Sequence, residues 1–444
     1  MHPEFPKVCV IGLGYIGLPT AALIASRGLS VTGVDVNPSV VSTVNAGKIH
    51  IVETDLESGV REAVRSGRLA ARDKPASADV FLIAVPTPLS HDKKPVVDHV
   101  FAAARAAAPC LKRGDMVILE STSPVGTTEQ VCRFLAERRP DLAFPTGSER
   151  AGAPDIFVAY CPERVLPGRI LKELVENDRC IGGVSPACAA KARAFYELFV
   201  RGNCIETTAR TAEMVKLTEN AFRDTNIAFA NELSMICDRL DINVWDLIGL
   251  ANLHPRVQIL KPGPGVGGHC IAVDPWFIVD AAPQEARLIH AARQVNDEKA
   301  NYVVDQVRSL IETYPDRPVS CLGLAFKANV DDLRESPALA IVERLANAYG
   351  ERIGVVEPFI DRLPESLQDL GAKWTQLDDA LAEGAILILL VDHDAFREVD
   401  RSRLAGSIIY DTRGIWGEST ISTGARPTPS EPATLAPRSA YKLQ

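Results

Sequence analysis

The chain has 444 residues, with 48 basic and 57 acidic side chains and a formal charge of −9. Apolar residues make up 46% and charged residues 24%, which excludes wholesale disorder and collagen-like structure. A mildly acidic balance gives no electrostatic footprint for nucleic acid, although loops and helix ends bind anions whatever the net charge.

No stretch approaches ~18 consecutive apolar residues, so no membrane span is expected. The apolar runs Val80–Val85 and Ala385–Val391 are strand-sized. Lys7 leads straight into an apolar strand with no signal-peptide pattern, which predicts a cytoplasmic protein. The ten cysteines are scattered without CxxC or CxC spacing. That argues against a disulfide framework and against a structural metal site.

Lys7–Ile11 reads as a buried parallel strand, flowing into Gly12-Leu13-Gly14-Tyr15-Ile16-Gly17. Leu18–Ser26 reads as a helix, and Ser30–Val34 as a second strand ending at Asp35. Val80–Val85 and Met116–Glu120 follow as strands, ending at Pro86-Thr87-Pro88 and Ser121-Thr122-Ser123-Pro124. This alternation predicts a doubly wound parallel sheet. From about Thr211 the pattern turns helical, with Phe222, Phe229, Leu233, Ile236 and Leu240 on one apolar stripe. The Gly/Pro-rich loop Lys261–Gly268 interrupts it, and helix returns over Gln284–Leu310. Strands are then expected at Val319–Gly323, Arg352–Val356, Ala385–Val391 and Ser407–Tyr410, with a helix at Pro337–Tyr349.

The predicted fold class is α/β: two Rossmann-like doubly wound domains joined by a helical central domain with a long connecting helix. The expected boundaries are 1–205, 206–312 and 313–417, with a disordered Ser/Thr/Pro/Ala-rich tail over 418–444.

The Gly12-x-Gly14-x-x-Gly17 spacing gains meaning from its strand–turn–helix context. Glycines there allow a tight turn and a close backbone approach to a pyrophosphate at the helix N-terminus. Asp35 is placed to accept the ribose hydroxyls and would repel a 2′-phosphate, which favours NAD over NADP. The second half opens with Gly323-Leu324-Ala325-Phe326-Lys327, without the three glycines. Two nucleotide-type folds with different loops point to two different nucleotides.

Four glycines crowd the stretch Gly263–Gly268 just before Cys270. Such a loop suits a backbone packed close to a ligand, and a thiol at its end can act as a nucleophile. A small buried hydrophobe is the other reading of the same cysteine. His269 reads as a loop-shaping neighbour. Asp274 lies four residues beyond Cys270. Lys216 and Asn220 stand at i, i+4 on one helix face, where they either meet solvent or hold a developing oxyanion.

Taken in order, these motifs, with Pro162-Glu163-Arg164-Val165 and Asp332-Leu333-Arg334-Glu335-Ser336-Pro337, resemble the UDP-glucose/GDP-mannose dehydrogenase family over residues 7–417. The Gly265–Phe277, Ile49–Glu53 and Asn220–Leu233 stretches are similar to the branch that acts on UDP-N-acetyl-D-mannosamine. UDP-N-acetylglucosamine and UDP-glucose stand as alternative sugars.

The resemblance implies oxidation of a sugar C6 hydroxyl to a carboxylate at the expense of two NAD+. It implies Cys270 as nucleophile, Lys216 and Asn220 as oxyanion holders, and Asp274 with Thr122 as positioners of water. Glu163 matches an acid near the reacting sugar. Gly12, Gly14, Tyr15, Ile16, Gly17, Asp35, Thr87, Thr122 and Arg334 match cofactor contacts. Glu163, Arg164, Val165, Lys216, Asn220, Lys261, Gly265, Gly267, Phe326, Lys327 and Arg413 match UDP-sugar contacts. Arg256 matches an arginine that reaches across a homodimer interface. Two positions depart from the family pattern: Val40 stands where many members carry an arginine, and Pro167 where some carry a second glutamate.

Overall fold

The computed structural model describes residues 5–51, 53, 55–145, 154–165, 168–268, 270–382, 384–417 and 421–422. It contains two compact units. One comprises the residues up to Arg223 together with Val273–His290; the other comprises Asp224–Ala272 together with the residues from Ala291 onward.

The first unit is built on eight strands: β1 (Lys7–Ile11), β2 (Ser30–Val34), β3 (Leu69–Arg72), β4 (Val80–Ile83), β5 (Met116–Leu119), β6 (Phe157–Tyr160), β7 (Arg179–Gly183) and β8 (Cys204–Thr208). Their order is β3-β2-β1-β4-β5-β6-β7-β8, parallel except for β6 against β7. Every residue of β4 and β5 is buried, as expected for strands covered on both faces by helices. One apolar core lies on each face, with Leu18, Leu82 and Phe195 in one and Phe81, Ile83 and Leu135 in the other.

Register does the positioning. Ile11 pairs with Val34 and Ile83, and Ile83 with Leu119. Gly12, Asp35, Val85, Thr87 and Thr122 therefore follow the carboxyl ends of adjacent strands, around the switch between β1 and β4 where such sheets bind ligands.

The second unit repeats the plan with β9 (Val319–Leu322), β10 (Ile353–Val356), β11 (Lys373–Trp374), β12 (Ile386–Leu389), β13 (Ile408–Asp411) and β14 (Ile421–Ser422). The order is β11-β10-β9-β12-β13-β14, with only β14 antiparallel. Leu322 pairs with Val356 and Leu389, and Leu389 with Asp411. That sets Gly323, Glu357, Asp392 and Arg413 along one edge.

The helices used below are α1 (Gly17–Ser26), α2 (Pro186–Tyr196), α3 (Ala209–Leu240), α4 (Val244–Ala251), α5 (Asp274–Ala281), α6 (Arg287–Thr313) and α7 (Pro337–Tyr349). Caps fix several starts. Ser185 Oγ accepts from Cys188 N–H, Asn243 Oδ1 from Trp245 and Asp246 N–H, and Ser336 Oγ from Leu339 N–H. The chain passes from the first unit to the second within α3. Leu217 and Ala221 of α3 pack with Phe277 and Ile278 of α5, while Ala230 and Cys237 pack with Val244 and Ile248 of α4.

Several strands end earlier than the apolar runs predict. β4 ends at Ile83; Ala84 N–H makes a last bond to the Ile11 carbonyl at 2.8 Å, and Val85 N–H then turns to Ser121 Oγ at 2.8 Å. β12 likewise covers only Ile386–Leu389 of the run Ala385–Val391. The predicted disordered tail is corrected at one point. Ile421–Ser422 pairs with Ile409–Tyr410, because the outer edge of β13 offers unpaired backbone groups. The rest of 418–444 lies outside the described residues.

Candidate active site

The dinucleotide turn follows β1 directly. Gly12 has φ +95°, and a Cβ there would lie 2.3 Å from the Ala84 carbonyl oxygen. A Cβ on Gly17 would lie 1.8 Å from the Gly12 oxygen, so the third glycine seals the turn against α1. A Cβ on Gly14 would meet nothing within 4 Å. Gly14 is the open point where a pyrophosphate can approach.

The N-cap of α1, Ile16, makes no side-chain cap, and its first turn carries no acidic residue. The helix end is therefore suited to an anion. Asp35, just past β2, accepts Leu13 N–H at 3.0 Å on Oδ2 and Asn37 N–H at 2.8 Å on Oδ1. Two backbone donors orient the carboxylate and leave further lone pairs for ribose hydroxyls. Thr87 Oγ1 donates to the Thr122 carbonyl at 2.6 Å, tying together the two loops that follow β4 and β5. Val40, at the departure from the family pattern, packs partly buried against the core.

A second cluster of the first unit holds acid–base groups. Asn220 Nδ2 donates to Asp274 Oδ2 at 2.5 Å, with Asn220 7% and Asp274 2% exposed. Burial pushes the Asp274 carboxyl up to about 6, against the pull of the Lys216 ammonium and the Asn220 amide. The structure thus gathers Lys216 and Asn220 of α3 with Asp274, the first residue of α5.

The motif Glu163-Arg164-Val165 lies after β6. Glu163 Oε2 accepts from Arg179 Nη1 at 2.7 Å, and its Oε1 from Arg164 N–H at 2.7 Å. Arg179 is 2% exposed. A permanent buried cation and a backbone N–H thus occupy both Glu163 oxygens. Glu120, at the end of β5, accepts from Tyr196 Oη at 2.6 Å. Burial and the neighbouring Glu163 charge push it up to about 7. Arg164 reaches Glu219 of α3 at 3.1 Å through Nε and at 2.6 Å through Nη2.

In the second unit the loop Lys261–Gly268 packs against the edge of its own sheet. A Cβ on Gly265 would lie 3.0 Å from Pro337 Cβ, one on Gly267 2.3 Å from the Glu335 carbonyl oxygen, and one on Gly268 2.8 Å from the Phe326 ring. These glycines are required by close approach. Lys261, Lys327 and Arg256 are exposed. Arg334 is exposed and ion-paired with Asp332 at 2.7 Å. Arg413 donates to Asp392 Oδ1 through Nε at 3.0 Å and Nη2 at 2.8 Å.

Of the ten cysteines, Cys270 alone is exposed. Burial pushes the Cys9, Cys132 and Cys321 thiols up to about 12, which leaves them inert. His269 and Pro167 lie outside the described residues. No group of three or more His, Cys, Asp or Glu side chains among the described residues is arranged to hold a metal ion.

Sequence reading missed Arg179, Glu120, Glu219 and Asp392. A clue existed for Arg179, a charged residue opening an otherwise apolar strand, Arg179–Gly183. Nothing in the sequence tied Asp392 to Arg413, which lies 21 residues away.

An NAD-type turn on one sheet, a counterpart without the three-glycine pattern on another and a helical segment bearing lysine, asparagine and an aspartate define a two-nucleotide oxidoreductase. Models of the UDP-glucose/GDP-mannose dehydrogenase family match all three parts: the NAD binding domain over residues 6–200, the central domain over 210–298 and the UDP binding domain over 320–418. The chain belongs to this family and is an NAD-dependent dehydrogenase of UDP-sugars.

It is 58% identical over 418 residues to an NDP-N-acetyl-D-galactosaminuronic acid dehydrogenase of Ralstonia nicotianae, covering 94% of this chain and 98% of that one. It is 54% identical over 421 residues to the UDP-N-acetyl-D-mannosamine dehydrogenase of Escherichia coli, covering 93% and 100%. Among solved structures it resembles the UDP-N-acetyl-mannosamine dehydrogenase of Staphylococcus aureus. The TM-score there is 0.80 and the identity 39%, over 93% of this chain and 96% of that one. No helix among the described residues is long and apolar enough to cross a membrane.

Proposed function

We propose that the protein oxidises the C6 hydroxyl of UDP-N-acetyl-D-mannosamine to the carboxylate. The overall balance is alcohol, water and two NAD+ giving carboxylate, two NADH and three protons. Bound NAD supplies the hydride acceptor for each oxidation. Holding the aldehyde covalently between the two steps keeps the reactive intermediate from leaking. Cys270 provides this covalent hold. Its thiolate adds to the aldehyde carbon, the second oxidation leaves a thioester, and water releases the acid. Lys216 and Asn220 are assigned the oxyanions, and Asp274 with Thr122 the hydrolytic water. Glu163, held by Arg179, is assigned a place beside the reacting sugar.

The observation that carries the reading is the group formed by Lys216, Asn220 and Asp274. It joins oxyanion donors to a buried carboxylate whose proton leaves at about pH 6, close to a working pH for a general base. Lys261, Gly265, Gly267, Phe326, Lys327 and Arg413 are assigned to the UDP-sugar. The degenerate first turn of the second sheet, with exposed Lys327, supports that assignment.

A galactosamine-type sugar is the second reading, favoured by the 58% identical Ralstonia relative. A homodimer is part of the proposal. Phe222, Phe229, Ile236 and Leu240 stand on one side of α3 at 67%, 53%, 43% and 60% exposure, an apolar stripe fit for a second copy. Arg256, exposed beyond α4, is assigned to reach the partner's substrate.

The test is NADH formed per UDP-N-acetyl-D-mannosamine consumed at completion. Two per sugar with a carboxylate product supports the proposal. One per sugar overturns the thioester route. No turnover on this sugar, with turnover on the galactosamine or glucosamine nucleotide, overturns the choice of substrate.

A further inference from the structure

Within the second unit, a run of buried polar side chains leads from the end of a charge pair to one amide of the glycine loop. Gly263 N–H donates to Asn231 Oδ1 at 2.8 Å. Asn231 Nδ2 donates to Asn296 Oδ1 at 2.9 Å. Asn296 Nδ2 donates to Asp224 Oδ1 at 2.8 Å and to the Asp224 carbonyl at 3.0 Å. Arg293 Nη1 donates to Asp224 Oδ1 at 2.6 Å. The four side chains are 0–1% exposed.

The polarity of this run is fixed at both ends. A backbone N–H can only donate, and the Asp224 backbone carbonyl that takes the Asn296 amide can only accept. Only one orientation of each asparagine amide satisfies both ends, so the run is a rigid spacer. A little upstream, Asn226 Oδ1 accepts Leu260 N–H at 3.1 Å. The loop entry is thereby pinned to α3 at two points.

The far side of Gly263 faces Arg413. A Cβ on Gly263 would lie 2.5 Å from Arg413 Nη1. Asp392 holds the same guanidinium through Nε and Nη2. Arg413 therefore sits between an anionic clamp and the Gly263 backbone. A buried ion pair and two buried amides contribute little net stability beyond an apolar filling of the same volume. They do define position.

We propose that Asn231 is a positioning residue for the nucleotide-sugar site: the run Asn231–Asn296–Asp224–Arg293 sets the place of the Gly263 backbone and, through it, of the Arg413 guanidinium that grips the UDP diphosphate. The inference rests on the reading that Arg413 contacts UDP.

Titration calorimetry of the full chain with UDP, and separately with NAD, tests it in two variants. Asn231→Ala leaves Gly263 N–H and Asn296 Oδ1 buried without partners; the loop shifts to relieve this, and the UDP dissociation constant rises about tenfold. Gly263→Ala leaves the buried run intact and pushes only the flexible tip of Arg413, so the chain folds and UDP again weakens. NAD affinity stays within about twofold in both. In the wild-type chain, hydrogen exchange reads the Gly263 amide as more protected than those of Gly265 and Gly267, whether or not Asn231→Ala folds.

Unchanged UDP affinity in Gly263→Ala and Asn231→Ala overturns the inference. So does an equal loss of UDP and NAD affinity, which marks a general stabiliser. A wild-type chain that binds no UDP overturns instead the functional reading beneath it, so the two failures are distinguishable.

Discussion

Asn220 and Asp274 lie 54 residues apart in the chain, yet the amide of one donates to the carboxylate of the other at 2.5 Å in a buried setting. The bond favours the charged carboxylate and burial disfavours it more strongly, so Asp274 loses its proton at about 6 rather than at 3.8. Below that pH the group is neutral and cannot accept a proton from water. The expected kcat profile therefore has an acid limb near pH 6. Asp274→Asn removes the limb and lowers kcat by about 10²-fold or more. Asn220→Ala withdraws the stabilising bond, so the limb moves to higher pH. A limb unmoved in Asn220→Ala and retained in Asp274→Asn would show that another group titrates.

Cys270 differs from the nine other cysteines in being exposed. Cys270→Ala is expected to form no acid, with NADH limited to at most the first oxidation. Product analysis by mass spectrometry reads this directly. Full conversion to the uronate by the variant would exclude a thioester.

Arg179 is buried with Glu163 on one side and the Tyr196 ring 5.7 Å away on another. Removing the cation strands a buried carboxylate beside Glu120, which the Glu163 charge already raises. Arg179→Met is therefore expected to cost ~3 kcal/mol in urea unfolding at about pH 8. Adding Glu163→Gln restores much of the loss. A deficit that Glu163→Gln leaves unchanged would point to lost packing instead.

The parts of this architecture that were legible in sequence share one property: their residues are close in the chain. Gly12, Gly14, Gly17 and Asp35 fall within one strand–turn–helix–strand unit, and the turn forms where the spacing put it. Lys216 and Asn220 share a helical face by periodicity alone. Arg179 with Glu163, Asp392 with Arg413, and Asn231 with Gly263 were invisible, because sheet register and helix packing bring them together. Strand ends differ for a related reason. Apolar runs such as Val80–Val85 continue past the last ladder bond into loops that are buried without being extended. The short β14 carries too little pattern to stand out from a Ser/Pro-rich tail.

The apolar stripe of α3 makes a separate prediction. Leaving Phe222 and Phe229 more than half exposed is costly for a helix facing water. The wild-type chain is expected to sediment as a dimer at micromolar concentration, and Phe229→Asp to shift it toward monomer. A wild-type chain that stays monomeric would remove the second copy from the proposal and leave the stripe unexplained.

Lys299 tests electrostatics inside the second unit. The residue is 4% exposed, and its ammonium donates to Ser234 Oγ at 2.8 Å and lies 4.6 Å from the Tyr302 ring centroid. Burial pulls it down to about 8, against the smaller upward pull of Asp238. The unfolded chain holds this proton up to about pH 10.5, so between pH 8 and 10.5 the unfolded state binds more protons than the folded one. Stability from this group therefore rises with pH across that window and is lowest below it. Lys299→Met, similar in length and uncharged, is expected to gain on the order of 1–3 kcal/mol at about pH 7. The gain fades toward about pH 10. Urea midpoints at the two pH values read the difference, and a variant less stable than wild type near neutral pH would mean that the bond to Ser234 outweighs the cost of the buried charge.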